Sequence, residues 1–357
     1  MEVKTIGLKI LTLVLLMAFV EVAVAEEEMS QVELRESFLQ LHSRYERAGS
    51  NSDYKKQLEL AIELHPMLKE INKPRPISLY DFTLGIDHLE QIIAFNESQL
   101  NLNEMLTQYY DNAIRETGRE NNELAIPYAQ KFMELSDQLY GNTSHSSIYA
   151  RIYLAHLYSL TKHIQEGLVH AIKVKQVLQD HRNESQLFID ASLIEMNLYF
   201  HNGEFEKAIK QGIELVTLLE ESGRKKTDDY YNIQGSVAGQ LNAVKRHQEA
   251  RVHAGKALNT KLPFSRSNEP LYVRLLLQYG QANVGLEDYE KANQAYDECL
   301  KMIAAIPNFS PSERLSTMEE YVPVLRKLGR NQEAEQMEEK IKRMRFDLPL
   351  QKSRFAD

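Results

Sequence analysis

The sequence predicts an all-α solenoid of antiparallel helix pairs, and three observations carry that expectation. First, small residues recur at Ala125, Gly167, Ala208, Ala250, Ala292 and Ala334, spaced 42, 41, 42, 42 and 42 residues apart. A fixed period of this length marks one supersecondary unit stacked on copies of itself. Second, twelve residues before each of them lies Ala113, Ala155, Met196, Ala238, Gly280 or Val322, each in a segment of helical apolar period. Each unit therefore holds two helices, A and B, expected to cross most closely where these two positions meet, because short side chains let backbones approach. Third, the 357 residues include only 15 Gly and 10 Pro and no Trp, which suits a chain dominated by helices.

Taken in order, the chain opens on an export signal. Lys4 and Lys9 give a charged start, Ile10 to Val20 is an apolar run, and Ala23-Val24-Ala25 is an A-x-A site followed by Glu26-Glu27-Glu28. Cleavage is expected after Ala25, with an uncleaved anchor as the rival reading; the apolar run falls short of the ~20 residues that span a bilayer. The formal net charge of −9 survives removal of residues 1–25, which hold two lysines and two glutamates. That balance disfavours nucleic acid as a partner. The mature chain is expected to be periplasmic or secreted, in a bacterium, with no stable membrane insertion after cleavage. Four N-x-S/T sequons, at Asn96, Asn142, Asn183 and Asn308, would matter only in a eukaryotic secretory pathway. Cys299 is the lone cysteine, so no internal disulfide forms, and its place in the period suits a buried thiol.

Residues 26–104 are expected to form an N-terminal helical cap. Val32 to Arg47 and Tyr54 to Ile71 read as amphipathic helices, with Asp53 or Ser52 as the cap of the second. Tyr54, Gln57, Ala61 and Leu64 leave open one further degenerate repeat. Lys73-Pro74-Arg75-Pro76 forces an extended break, and helices at about 79–95 and 100–115 lead into the repeats. Six pairs then fill 105–343, with A helices near 106–117, 147–160, 187–201, 228–243, 270–284 and 313–328. Each B helix is expected to begin two or three residues before its small residue and to run about four turns or more. Residues 344–357 contain Pro349 and little periodicity, and are expected to be a frayed tail.

Around the small residues one phrase recurs: Gly203-Glu204-Phe205-Glu206-Lys207-Ala208, Glu287-Asp288-Tyr289-Glu290-Lys291-Ala292, and Arg330-Asn331-Gln332-Glu333-Ala334. Further packing positions follow four and seven residues later, as in Tyr296 and Cys299, and in Ala254 and Ala257. With Tyr279-Gly280, Tyr289, Ala292 and Tyr296 in one unit, and Phe205 and Ala208 in another, residues 105–342 resemble the tetratricopeptide repeat (TPR) family. The period exceeds that family's usual ~34. Leu139-Tyr140-Gly141 followed by His145 looks like the link between repeats of the kinesin light chain type. The resemblance implies a right-handed superhelix whose A helices line a concave face, and it brings no catalytic residues.

No motif for catalysis stands out. G-x-S-x-G, H-E-x-x-H, a paired C-x-x-C, a phosphate-binding glycine loop and G-x-G-x-x-G are all missing from the sequence. His156, His163 and His170 are spaced by seven, but a turn near Thr161-Lys162 breaks their register and no carboxylates complete a set, so no metal site is expected. No cofactor is expected either. Carboxylates occur at helical spacing beside Lys and Arg, as on an exposed helix face.

In proteins this chain resembles, ligand-facing places on helix A lie 18, 15, 11, 8 and 7 residues before the period's small residue. The resemblance therefore marks Tyr110, Tyr149, His156, Asn197, Asn232, Asn242, Arg274, Gln281 and Arg326 as candidates for a peptide-binding groove, together with Gly235, Gly239, Leu193 and Leu277. The residue types fit peptide capture. An amide offers a donor and an acceptor to an extended backbone, Arg can fork onto a carboxylate, and Tyr adds apolar area with a polar tip. The bland alternative is that any helix A shows polar residues outward. The function expected is a non-catalytic exported scaffold that binds a protein or peptide. The alternative is an extracytoplasmic sensory or regulatory module acting with a separate signalling protein, with a hydrolase further behind.

Overall fold

A computed structural model describes residues 31–48, 51, 53–71, 79–260, 269–306 and 309–354. The expected signal segment, its cleavage point and the Lys73-Pro74-Arg75-Pro76 break lie outside these residues. All regular structure among the described residues is helical. The chain divides into two compact units: one up to Leu157 plus Lys173–Phe188, the other Tyr158–Ile172 plus the chain from Ile189 onward.

The first unit starts with α1 (31–48) and α2 (Tyr54–Glu70), then α3 (Leu79–Ile93). Asp53 caps α2 as expected, its carboxylate accepting from Lys56 N at 3.1 Å. Phe38 of α1, Ala61, Leu64 and Leu68 of α2, and Phe82 and Leu89 of α3 close a small core. Next come α4 (Glu97–Gly118), α5 (Asn122–Tyr140), α6 (His145–Leu160) and α7 (Ile164–Val177), the last two divided between the units. Asn96 and Gln99 form a reciprocal capping box on α4. Because that box fixes the start at residue 97, the expected 100–115 helix and the first A helix are one continuous element, and the 104/105 division falls inside it.

The second unit holds most of α8 (Gln186–His201), then α9 (Phe205–Glu221), α10 (Asp228–Ala243), α11 (His247–Leu258), α12 (Glu269–Gly285), α13 (Tyr289–Ala305), α14 (Pro311–Lys327) and α15 (Asn331–Arg354). Every B helix, from α5 to α15, begins three residues before its small residue. Two expectations need correction. The B helix α11 has 12 residues, short of four turns, and the frayed tail is instead the continuation of α15 to Arg354 past Pro349. A proline in a helix loses a single amide donor and crowds one turn, and the good helix formers around it carry the helix through.

The turn between A and B is the same in every repeat, and the sequence had not shown it. The residue five before each small residue has positive φ: Glu120, Lys162, Lys245 and Glu287 at 58–63°, Gly203 at 80° and Gly329 at 73°. The next amide reaches back five residues: Asn121 to Glu116, His163 to Tyr158, Glu204 to Tyr199, Arg246 to Leu241, Asp288 to Asn283 and Arg330 to Leu325, each at 2.9 Å. This is a Schellman closure, which satisfies the last carbonyls of helix A and reverses the chain directly into helix B.

The small residues are fully packed: Ala125, Ala208, Ala250, Ala292 and Ala334 are all 0% exposed. They do not, however, meet the positions twelve before them. A Cβ on Gly212 would lie 2.7 Å from Met196 Sδ, and one on Gly280 would lie 3.1 Å from Tyr296 Cε2. The position twelve before therefore faces the position four after. Gly167 instead abuts Tyr158 and Leu198, its missing Cβ 3.2 Å and 3.0 Å from them. The reason is the antiparallel hairpin: partners sit at matching distances on either side of the turn, so moving back along A moves forward along B.

Candidate functional site

The repeat geometry decides which candidates come together. In the first unit Tyr110 on α4 and Tyr149 on α6 meet, their hydroxyls 3.1 Å apart and their rings edge-to-face at 6.0 Å. Tyr153, one turn on from Tyr149, joins them with its ring 6.1 Å from that of Tyr110. Its hydroxyl bonds the Thr117 hydroxyl at 2.7 Å, which in turn donates to the Ala113 carbonyl. Phe132 backs Tyr110 at 5.1 Å. Burial, then the bond to Tyr149, pushes the Tyr110 phenol far above its usual range, and burial raises Tyr153 as well. Both are neutral hydrogen-bonding groups at ordinary pH. Tyr149 stays 36% exposed, so the cluster shows solvent a rigid aromatic surface with polar tips. Tyr153 was missed because it lies fourteen before Gly167; its i, i+4 spacing from Tyr149 was the available signal. His156, seven on from Tyr149 along α6, is also exposed.

In the second unit the candidates divide. Asn232 and Arg274, 42 residues apart, form a bond of 3.1 Å between α10 and α12 at the exposed surface. Asn197 on α8 is half-buried. The others have bonds within and between the repeats. Asn242 Nδ2 donates to the Gln278 carbonyl at 2.9 Å and its Oδ1 lies 3.2 Å from His247 Nδ1, tying α10 to both α12 and α11. Gln281 donates to Glu320, which also accepts from the Tyr296 hydroxyl. Arg326 pairs with Glu338 of its own helix B at 2.7 Å. Gly235 and Gly239 let α12 approach, a Cβ on Gly239 coming 3.2 Å from Gln278 Oε1 and one on Gly235 3.6 Å from Leu275. Leu193 and Leu277 are half-buried.

Other chemistry is sparse. Among the described residues no three His, Cys, Asp or Glu side chains gather where they could hold a metal ion. His163 and His170 pack their rings on Tyr158 at 5.8 and 5.9 Å. Cys299 is buried, and burial, with Glu320 and Glu298 nearby, pushes its thiol up to about 12. No described helix is long and apolar enough to cross a membrane.

No protein-family model matches the sequence, and no curated protein does. Solved structures do. BtubC (BKLC) from P. vanneervenii is 16% identical, with a TM-score of 0.51 over 70% of this chain and 92% of the other. The apo form of RapI is 10% identical, with a TM-score of 0.55 over 85% of each. Aspartyl phosphate phosphatase F from Bacillus subtilis is 10% identical, with a TM-score of 0.54 over 87% of this chain and 94% of the other. At these identities the likeness is one of fold, and with six Schellman-closed helix pairs at a 41–42-residue period it gives this chain an all-α, TPR-like fold of helix pairs.

Proposed function

We propose that the chain is an exported, non-catalytic scaffold that holds a polypeptide partner against the exposed side of its A helices. The observation that carries this reading is the Tyr110, Tyr149 and Tyr153 cluster: aromatic area fixed by edge-to-face contacts and hydroxyl bonds, still open to solvent at Tyr149. Rigid aromatic rings offer contact area at little entropic cost, and their hydroxyls can bond a peptide backbone. Asn232 and Arg274 supply a second surface in the other unit, with an amide and a guanidinium whose bond to each other is exchangeable for a peptide's. One similar fold is a phosphatase by name; its fold is shared at 10% identity and its chemistry is not carried over. Placement outside the cytoplasm rests on the Lys4-to-Ala25 signal pattern.

The test is selection from a displayed peptide library on the wild-type chain, with the selected peptides measured against Tyr149→Ala and Asn232→Ala/Arg274→Ala variants whose melting curves match wild type. Peptides that lose about tenfold or more in affinity on either variant support the scaffold reading. Peptides bound equally by all three chains remove the A-helix face from it. Selection of no peptide moves the sensory alternative forward.

A further inference from the structure

The helix α3 does not belong to a repeat, yet it is bound to two of the links between repeats, and histidines recur among the groups that bind it. Asp81, in its first turn, reaches residues more than a hundred positions away. It accepts from the Ser185 hydroxyl at 2.7 Å and from the Gln186 amide at 2.5 Å, so it caps α8 from outside. Beside it Tyr80 stacks on His181 with centroids 3.8 Å apart. Two turns on, His88 packs 4.3 Å from the Tyr140 ring and 6.4 Å from the His145 ring, where α5 passes into α6. On another side Thr83 bonds His65 of α2 at 3.1 Å. Four of the chain's eleven histidines thus lie on or against one helix of 15 residues.

We propose that α3 is an acid-released clasp, held across the α5–α6 link by the packed imidazoles of His88 and His145 and across the link into α8 by Asp81, and let go when His88 and His145 take up protons.

His88 is the pivot. Its Nδ1 is buried without a hydrogen-bond partner, so a proton added there meets no acceptor. The titratable groups facing it are Tyr140 from α5 and His145 from α6. Asp81 of α3 acts on His145, and Tyr54 of α2 on Tyr140. Burial first, then the neighbouring His145, lowers His88 to about 4, and burial lowers His145 against the pull of Asp81. His65 is lowered by burial and by Lys69. The sign follows. A histidine whose docked pKa lies below 6.5 costs nothing while neutral, and its undocked form gains the proton first as pH falls. For His88 alone the undocked population grows ~10-fold per pH unit from about 6.5 down to about 4. Release uncovers Phe82, Leu89 and Ile92, all buried when docked, and leaves the start of α8 without its carboxylate.

Hydrogen exchange of the full chain, read by mass spectrometry from pH 7.5 to 4.5 and corrected for intrinsic exchange, tests this. Peptides covering 79–93 should lose protection ~10-fold per pH unit below about 6.5, while peptides covering 228–258 hold theirs. In His88→Phe, which keeps a ring against Tyr140, the loss should be reduced to at most a few-fold over the whole range. His145→Phe provides the same comparison where His88→Phe does not fold. Simultaneous loss in both regions of wild type would overturn the proposal, as would 79–93 protection that does not vary with pH, or an undiminished slope in the phenylalanine variant.

Discussion

Gly212 and Met196 make a test of the helix-pair packing that runs against ordinary helix propensity. Gly212 sits inside α9, where replacing Gly by Ala would by itself favour the helix by about 1 kcal/mol. The structure opposes that gain. A Cβ there would stand 2.5 Å from Val237 Cγ2 on α10 and 2.7 Å from Met196 Sδ on α8, each more than an ångström inside contact distance. The Met side chain can turn aside; the β-branched Val cannot without moving its helix. Two contacts this short put the cost in the upper part of the about 1–3 kcal/mol that overpacking takes, about 2–3 kcal/mol, so Gly212→Ala should still destabilise by about 1–2 kcal/mol after the propensity gain. Met196→Ala alone empties a fully buried site and should cost about 2–5 kcal/mol. The double variant places the new methyl partly in that vacancy while keeping the Val237 contact. It should therefore be more stable than the two losses added together by about 1 kcal/mol or more. Urea unfolding followed by far-UV circular dichroism measures this, the chain having no Trp to report. Additivity within about 0.5 kcal/mol, or a Gly212→Ala chain as stable as wild type, would refute the pairing of the position twelve before with the position four after.

Four further outcomes follow from the same geometry. Lys245→Gly should leave stability within about 0.5 kcal/mol of wild type, because relief of the φ of 63° offsets the extra unfolded-state freedom; Gly329→Val, at φ 73°, should cost about 1–2 kcal/mol by the same urea assay. Asn242→Ala should lower stability by about 1–3 kcal/mol by stranding the groups it bonds, whereas Asn232→Ala, at an exposed bond, should change it by under about 0.5 kcal/mol. Cys299, 0% exposed with its thiol pushed up to about 12, should not react with a thiol reagent at pH 8 until urea unfolds the chain. Intact mass and N-terminal sequencing of the protein made in an exporting bacterium should find Glu26 as the first residue; a chain retaining Lys4 in the membrane fraction would favour the anchor reading.

The period was legible because small side chains mark it directly, and five alanines and a glycine at nearly constant spacing have little other cause. Who meets whom was not legible. Spacing along a chain says that two positions recur together, but in an antiparallel hairpin recurrence and contact differ, and the turn residue fixes the mirror. That turn was itself concealed, because Glu120, Lys162, Lys245 and Glu287 adopt the left-handed conformation that sequence reading credits to glycine. Among site residues, Tyr110 and Tyr149 could be named because the resemblance marks both places, but that they meet follows from the structure. Asn242 and Gln281 could not be judged, since whether an amide is free or spent depends on Gln278 and Glu320, 36 and 39 residues away.

The mirrored pairing also accounts for the weak motifs. In two repeats the facing positions are small on both sides: Ala113 and Ala129, and Ala238 and Ala254, all 0% exposed. In the third repeat Met196 is matched by Gly212, and in the fifth Tyr296 is matched by Gly280. Close packing responds to the volume two helices must share, and a residue added on one helix is tolerated where the other gives up its side chain. A pattern that scores each position by itself registers two departures at such a pair, although the crossing keeps its volume. Repeats of this kind can therefore drift far in sequence while the helix pair stands, as the 10–16% identities to chains of the same fold require.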